Sequence, residues 1–406
     1  MCRWWFYIKI IQEMKLIYPS LTRDFTNPLK HKELIGNYLI STFEKLGVKT
    51  EIISSPIPLT KYFLYIYKKI YKMIFKKNYL LDRAIPVLKS SSNYLSKTIA
   101  KSDADFIFAF GTLTIAYLKS EKPIYIITDG TFEAMHGYNP NYSNVCKRSY
   151  KNAEMLENLG FSKARKIFLS SEWAIQSALN HYKVPPSKVV HTYLGANIPN
   201  APTKDNVTQF IETRSKDKIK LILIGKNWYG KGADIAIAIN NELIKRGYKS
   251  NLTVIGCKPA DNNFPEDVHI IENLDKSKQD ELEEFQRLLS ESHFMLFPTR
   301  FDTFGHVVCE ASAYGVPTIA SQTGGVGDAV KDGVNGFLID FKEGDSIQKS
   351  ADIIEYYFNN RNEYNQICLS SFKRYQDELN WDVIVSKILD VIKEDLETIS
   401  KMEITS

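Results

Sequence analysis

At 406 residues the chain exceeds one ordinary core, so two domains are expected. Its 44% hydrophobic and 24% charged content excludes a disordered or fibrous chain, and a net charge of +5 is too slight to indicate nucleic-acid binding. Five cysteines with no CxxC pair, and no His cluster at ligand spacing, argue against a disulfide framework or zinc site and fit a reducing cytosol.

The aromatic stretch Trp4 to Ile11 is far shorter than the roughly 20 residues of a spanning helix. A single Arg3 and the missing small-residue cleavage site also fail to make a secretory signal. Met14 begins a good strand, so residues 1–13 read as a short tail or as an extension outside the native protein. From there to residue 198, apolar runs at Lys15–Tyr18, Lys49–Ser54, Asp105–Phe110, Pro123–Thr128, Lys166–Leu169 and Lys188–Tyr193 alternate with helical patterns. That alternation predicts a parallel α/β sheet.

Between the second and third runs, Ile52 to Leu81 contains no acid. Lys61, Lys68, Lys69, Lys72 and Lys76 fall on one helical face, with Phe63, Ile66, Tyr67, Ile70, Met73 and Ile74 opposite. Two readings stand for the Lys61–Lys77 segment: a helix lying on an anionic membrane, and the commoner core-facing helix with a solvated Lys face. Asp103-Ala104-Asp105 reads as a DxD metal mark but precedes its strand, at the end away from where such sheets bind ligands. With no other cluster at convincing spacing, no metal ligand set is assigned.

The polar stretch 199–218 reads as an interdomain linker. A second α/β alternation follows over 219–375: strands at Ile219–Ile224, Asn251–Ile255, Val268–Ile271, His293–Phe297, Pro317–Ala320 and Asn335–Ile339, with helices at Gly232–Lys245, Ser277–Ser290 and Gly305–Tyr314. Residues 376–406 carry an amphipathic helix from Trp381 to Ile399, expected to pack back toward the N-terminal domain.

The chemistry gathers at strand ends of the second half. The loop leaving His293–Phe297 holds Asp302, Thr303 and Phe304, and Gly305 and His306 open a helix whose free N–H groups attract phosphate. Glu310 follows about two turns on; paired carboxylates accept hydrogen bonds from ribose and sugar hydroxyls. Gly225, Lys226, Lys231 and Gly232 form a glycine-bounded loop able to wrap a diphosphate, with Lys231 offsetting its charge. The Thr323-Gly324-Gly325-Val326-Gly327-Asp328 loop, after the Pro317–Ala320 strand, reads as a flexible connection using glycine for positive φ.

The stretch Phe297 to Pro317, with an acid, seven intervening residues and Glu310, resembles the signature of the retaining GT-B glycosyltransferases of family 4, the glycosyl transferases group 1. The family's first acid is usually Glu; here it is Asp302. The Gly225–Gly232 loop resembles the same family's Gly-Arg-…-Lys-Gly loop, with Lys226 where Arg is common. The Thr323–Asp328 loop resembles a family element beside the donor, and that resemblance implies such a place for it here. Ser170-Ser171-Glu172-Trp173 and Gly195-Ala196-Asn197 resemble a bacterial branch.

The resemblance implies two Rossmann-like domains facing across a cleft, with the donor held by the C-terminal one. It implies transfer of a hexosyl unit from a UDP- or GDP-sugar to a glycan or lipid-linked acceptor in surface polysaccharide assembly, with retention and without metal or other cofactor. In that scheme Lys231 meets the diphosphate, Asp302 the sugar and Glu310 the ribose. Asp129, where many relatives carry His, would bind sugar hydroxyls or assist the acceptor proton. A cytoplasmic enzyme, peripheral on the membrane under the first reading of Lys61–Lys77, is expected. The competing functions are a GT-B nucleotide-sugar epimerase and a non-catalytic scaffold subunit.

Overall fold

The computed structural model describes residues 14–21, 34–260 and 263–405. The tail 1–13, with its aromatic stretch, lies outside the described residues. The chain forms two compact units, one of residues up to Thr192 together with those from Ile384 onward, the other Tyr193–Val383.

The first unit is built on β1 (Lys15–Ser20), β2 (Lys49–Ser54), β3 (Phe106–Phe110), β4 (Ile124–Thr128), β5 (Lys166–Leu169) and β6 (Val189–His191). They pair in parallel in the order β2-β1-β3-β4-β5-β6. Central strands are continuous apolar runs because helices cover both faces: all of β4 is buried, whereas the edge strand β2 carries Lys49 and Glu51 toward water. From the C-terminal stretch, Asp395 accepts hydrogen bonds from Tyr125 at 2.7 Å and Arg165 at 2.6 and 2.9 Å, which ties that helix to this unit.

The second unit repeats the scheme with β7 (Ile219–Ile224), β8 (Ser250–Ile255), β9 (Val268–Ile271), β10 (Phe294–Phe297), β11 (Thr318–Ser321) and β12 (Gly336–Ile339). The order is β12-β11-β10-β7-β8-β9, again all parallel. The chain winds outward from β7 on one side, then returns to add β10 on the other. Loops leaving β7 and β10 therefore diverge over a crevice at the carboxyl ends of adjacent strands, where doubly wound sheets bind ligands.

The stretch 199–218, expected as a linker, instead contains the helix Lys204–Thr213. Thr203 and Asn206 form a capping box at its start. Val207 and Ile211 are buried in the second core, and Phe210 packs against it. Burying two such side chains contributes about 3–6 kcal/mol before chain entropy. Just after it, buried Arg214 donates to the carbonyls of Tyr314, Gly315 and Ser290 and to Tyr364 Oη, fastening the segment to the second unit.

Candidate donor site

The loops after β7 and β10 are locked to each other before either meets a ligand. The Arg300 amide and the Thr299 hydroxyl both donate to the Gly230 carbonyl, at 2.8 and 2.9 Å. The Arg300 guanidinium forms a fork with Asp234 at 2.8 and 2.7 Å and lies 4.0 Å over the Tyr229 ring. Gly232 has φ +67°, and a Cβ there would sit 2.0 Å from the Pro298 carbonyl oxygen, so only glycine lets the two loops close.

This clamp brings Lys231 to Asp302, and the two form an ion pair. The other carboxylate oxygen of Asp302 accepts the Phe304 amide at 3.0 Å. Burial works to raise the Asp302 pKa, but the Lys231 ammonium and that amide outweigh it and hold the acid below its ordinary value. The Lys231 ammonium also lies 4.9 Å over the Phe297 ring. The third loop joins through its backbone, the Gly325 amide reaching the Asp302 carbonyl at 3.4 Å, which brings Gly324 and Gly325 beside the same residue.

Glu310 is buried in the helix His306–Ala313, where its Oε1 accepts from Lys276 Nζ at 2.8 Å. Lys276 also donates to the Asn197 carbonyl at 3.2 Å and stands 4.5 Å over the Phe285 ring. His306 Nδ1 donates to the Gly195 carbonyl at 3.2 Å, and its Nε2 is buried with no hydrogen-bond partner among the described residues. Both contacts run to the Gly195-Ala196-Asn197 segment, which Trp381 fixes by donating to Asn197 Oδ1 at 3.1 Å.

The structure thus gathers Gly225, Lys231, Gly232, Asp302, Gly305, Gly324 and Gly325 around one set of loops, with His306 and Glu310 on the helix that opens there. Lys226 is exposed on the first loop, and Thr303 is half-buried on the second. The ring of Phe304 is wholly in the core, so its part in the site is its amide. Asp129 belongs to the other unit, half-buried after β4, with Ser170 Oγ donating to its carbonyl at 3.4 Å. Sequence reading missed Lys276 and Arg300. Lys276 stands on the loop leaving β9, at a strand's carboxyl end, and that position was the available signal.

The DxD carboxylates are both engaged by Lys15, its amide donating to Asp105 at 2.7 Å and its ammonium pairing with Asp103. Among the described residues one group, Glu133, Glu154 and His181, brings potential metal ligand atoms within 4.8 Å of one another. Sequence spacing could not show it, since the three come from separate helical segments. There Glu154 accepts from Tyr182 at 2.7 Å and lies 2.6 Å from His181 Nε2, so these groups already engage one another. The described cysteines are free thiols, all buried.

Paired doubly wound units, the second carrying lysine–carboxylate pairs at its switch point, define a GT-B fold. A sucrose-phosphate synthase from Thermosynechococcus elongatus superposes at a TM-score of 0.67 over 95% of this chain and 100% of that one, at 13% identity. Anabaena HepE in complex with UDP and glucose does so at 0.61 over 94% and 100%, at 14% identity. Residues 205–369, which lie in the second unit, match the family model for glycosyl transferases group 1. In sequence the chain is 26% identical over 179 residues to an uncharacterized 41.2 kDa protein in the cps region of Klebsiella pneumoniae, covering 42% of this chain and 47% of that one. The chain spans less than two thirds of the length of the curated relatives it matches.

Proposed function

We propose that the protein transfers a hexosyl unit from a nucleoside diphosphate sugar to a hydroxyl of a glycan or lipid-linked glycan, with retention and without a metal ion. The observation that carries the reading is the pairing of Lys231 with Asp302, and of Lys276 with Glu310, beside the helix opening at Gly305. In this reading the two carboxylates meet hydroxyls of the nucleotide sugar, Lys231 meets its diphosphate, and Lys276 holds Glu310 in place. The match of residues 205–369 to group 1 supports transfer chemistry, and the UDP and glucose held by the Anabaena neighbour favour a uridine donor.

In this scheme Lys231 passes from Asp302 to the diphosphate as the donor enters, and Asp302 turns its freed lone pairs to the sugar. Glu310 holds the ribose diol. As the glycosidic bond breaks, Lys231 and the N–H groups at the start of the His306–Ala313 helix stabilise charge growing on the leaving diphosphate, the work a metal ion does elsewhere. Asp129 would orient the acceptor hydroxyl. Surface polysaccharide is the expected product.

The test is thermal unfolding with UDP, GDP, ADP and their sugar conjugates in the presence of a chelator. A ligand at a hundredfold its Kd adds about 2.7 kcal/mol to native stability, so one base should raise the midpoint selectively. Product analysis with an acceptor then reads the anomeric configuration. Release of an altered sugar without acceptor would move the assignment to an epimerase. No shift with any nucleotide, and the same behaviour in Lys231→Met, would leave a non-catalytic scaffold.

A further inference from the structure

The helix Thr60–Phe75 in the first unit has no buried residue, although its sequence is largely apolar. Only part of its apolar surface therefore meets the core. At about 100° per residue its surface divides into three sectors. One sector packs on the unit: Leu64 and Tyr71 lie against the cluster of Tyr79, Ala84 and Val87, and the Tyr67 ring meets Tyr79 edge-on at 5.2 Å. A second carries the lysines. The third faces outward, with Phe63 and Met73 each 74% exposed, Tyr62 63%, Ile74 61%, Ile66 58% and Ile70 43%. Contiguous apolar surface of this kind marks an interaction site.

We propose that this face lies in the headgroup region of an anionic lipid surface. Charge selects the occupant. Ile52 to Leu81 contains no acid, and among the described residues Lys61, Lys68, Lys69, Lys72, Lys76 and Lys77 take part in no ion pair. Lys61, Lys68 and Lys72 border an open hollow of about 690 Å³ whose one acid, Asp82, is paired with Arg83, leaving the lysines to meet headgroup phosphates. A second copy of the chain docked symmetrically would set these lysines against themselves, a repulsion that anionic lipid turns into attraction. The geometry is that of an in-plane helix: the apolar sector enters the acyl boundary while the lysine stems reach back to phosphate. Among the described residues no helix is long and apolar enough to cross a membrane.

The test is co-sedimentation of the full chain with vesicles of phosphatidylcholine alone and of equal parts phosphatidylcholine and phosphatidylglycerol. Binding to the anionic vesicles only, weakened by salt, is expected. Replacing Lys68 and Lys72 by Gln should weaken it roughly fivefold per lysine, and Phe63→Ser with Ile66→Ser should weaken it further without changing the unfolding midpoint. Equal binding to both vesicles, or to neither, overturns the proposal. So does a concentration-dependent dimer that the Phe63 and Ile66 replacements dissolve. The same variants should keep any nucleotide-induced thermal shift, so failure here is separable from failure of the donor-site reading.

Discussion

Replacing Lys231 by Met leaves Asp302 enclosed without its cation. Breaking a fully buried pair costs about 3–5 kcal/mol. With side-chain exposures of 20% for Lys231 and 15% for Asp302, water recovers part of that, and about 2–3 kcal/mol is expected. In a unit the size of Tyr193–Val383 each kcal/mol moves the midpoint by about 2–4 °C, so a fall of about 4–12 °C should appear in a thermal scan at neutral pH. The pH dependence has a definite sign. In the native protein the Asp302 pKa is depressed, so its stabilisation is present above the unfolded value and is lost as pH falls through the folded one. In Lys231→Met the effect of burial loses its main opponent and the folded pKa moves upward. The penalty then belongs to the ionised acid, and the variant's deficit should shrink as the pH is lowered from neutral toward 5. A double-mutant cycle with Asp302→Asn isolates the pair and should give about 2 kcal/mol of coupling. Coupling below about 0.5 kcal/mol, or a deficit that grows on acidification, would refute the electrostatic account.

Under the proposed donor scheme, in which Glu310 holds the ribose, Glu310→Ala should cut transfer at least a hundredfold while the circular dichroism spectrum stays native, since alanine suits a helix. Arg214→Met should destabilise the second unit by about 3 kcal/mol, since four acceptors around it lose a buried donor; chemical denaturation followed through each unit's tryptophans reads this. Glu157 is buried, and that burial, opposed by Arg83 and by a hydrogen bond from Thr112, raises its pKa to about 7. The folded state then holds a proton that the unfolded chain releases near pH 4.5, so stability should fall by roughly 3 kcal/mol between those values as pH rises. Glu157→Gln should flatten that slope in denaturant titrations across the range.

Both sheets were legible because a strand buried on two faces is written as an unbroken apolar run: Ile219–Ile224 and Lys166–Leu169 coincide with β7 and β5. The loops holding Lys231 and Asp302 were legible because strand ends locate them. The helix Lys204–Thr213 was hidden by composition, its apolar residues Val207, Phe210 and Ile211 sitting at helical spacing inside a polar stretch. Helices Ser346–Asn359 and Arg361–Asp377 went unassigned for want of a motif to draw attention to them. Lys276 was invisible as a partner of Glu310 because only the order of strands brings the two loops together. The Thr60–Phe75 pattern was read correctly as amphipathic, but periodicity states only that a helix has two faces. Which of them meets protein depends on what the rest of the chain places beside it.

The Lys231 stem lies directly against Gly225: a Cβ at that position would stand 2.4 Å from Lys231 Cγ. The obstacle is a flexible side chain, so Gly225→Ala should fold and should act by pushing the lysine off its track. Asp302 does not share that freedom, since the Phe304 amide holds it at 3.0 Å whatever the lysine does. Within the proposed donor site the fixed partner is therefore the acid and the movable one the base, as a passage of Lys231 from carboxylate to diphosphate requires. Gly225→Ala should weaken nucleoside diphosphate binding by about tenfold, or about 1.4 kcal/mol, in calorimetric titration. Affinity for the bare nucleoside, which in the proposed site is met by Glu310, should stay unchanged. Equal losses for diphosphate and nucleoside would mean that the substitution had shifted the whole loop. Unchanged diphosphate affinity would mean that Lys231 does not meet the diphosphate.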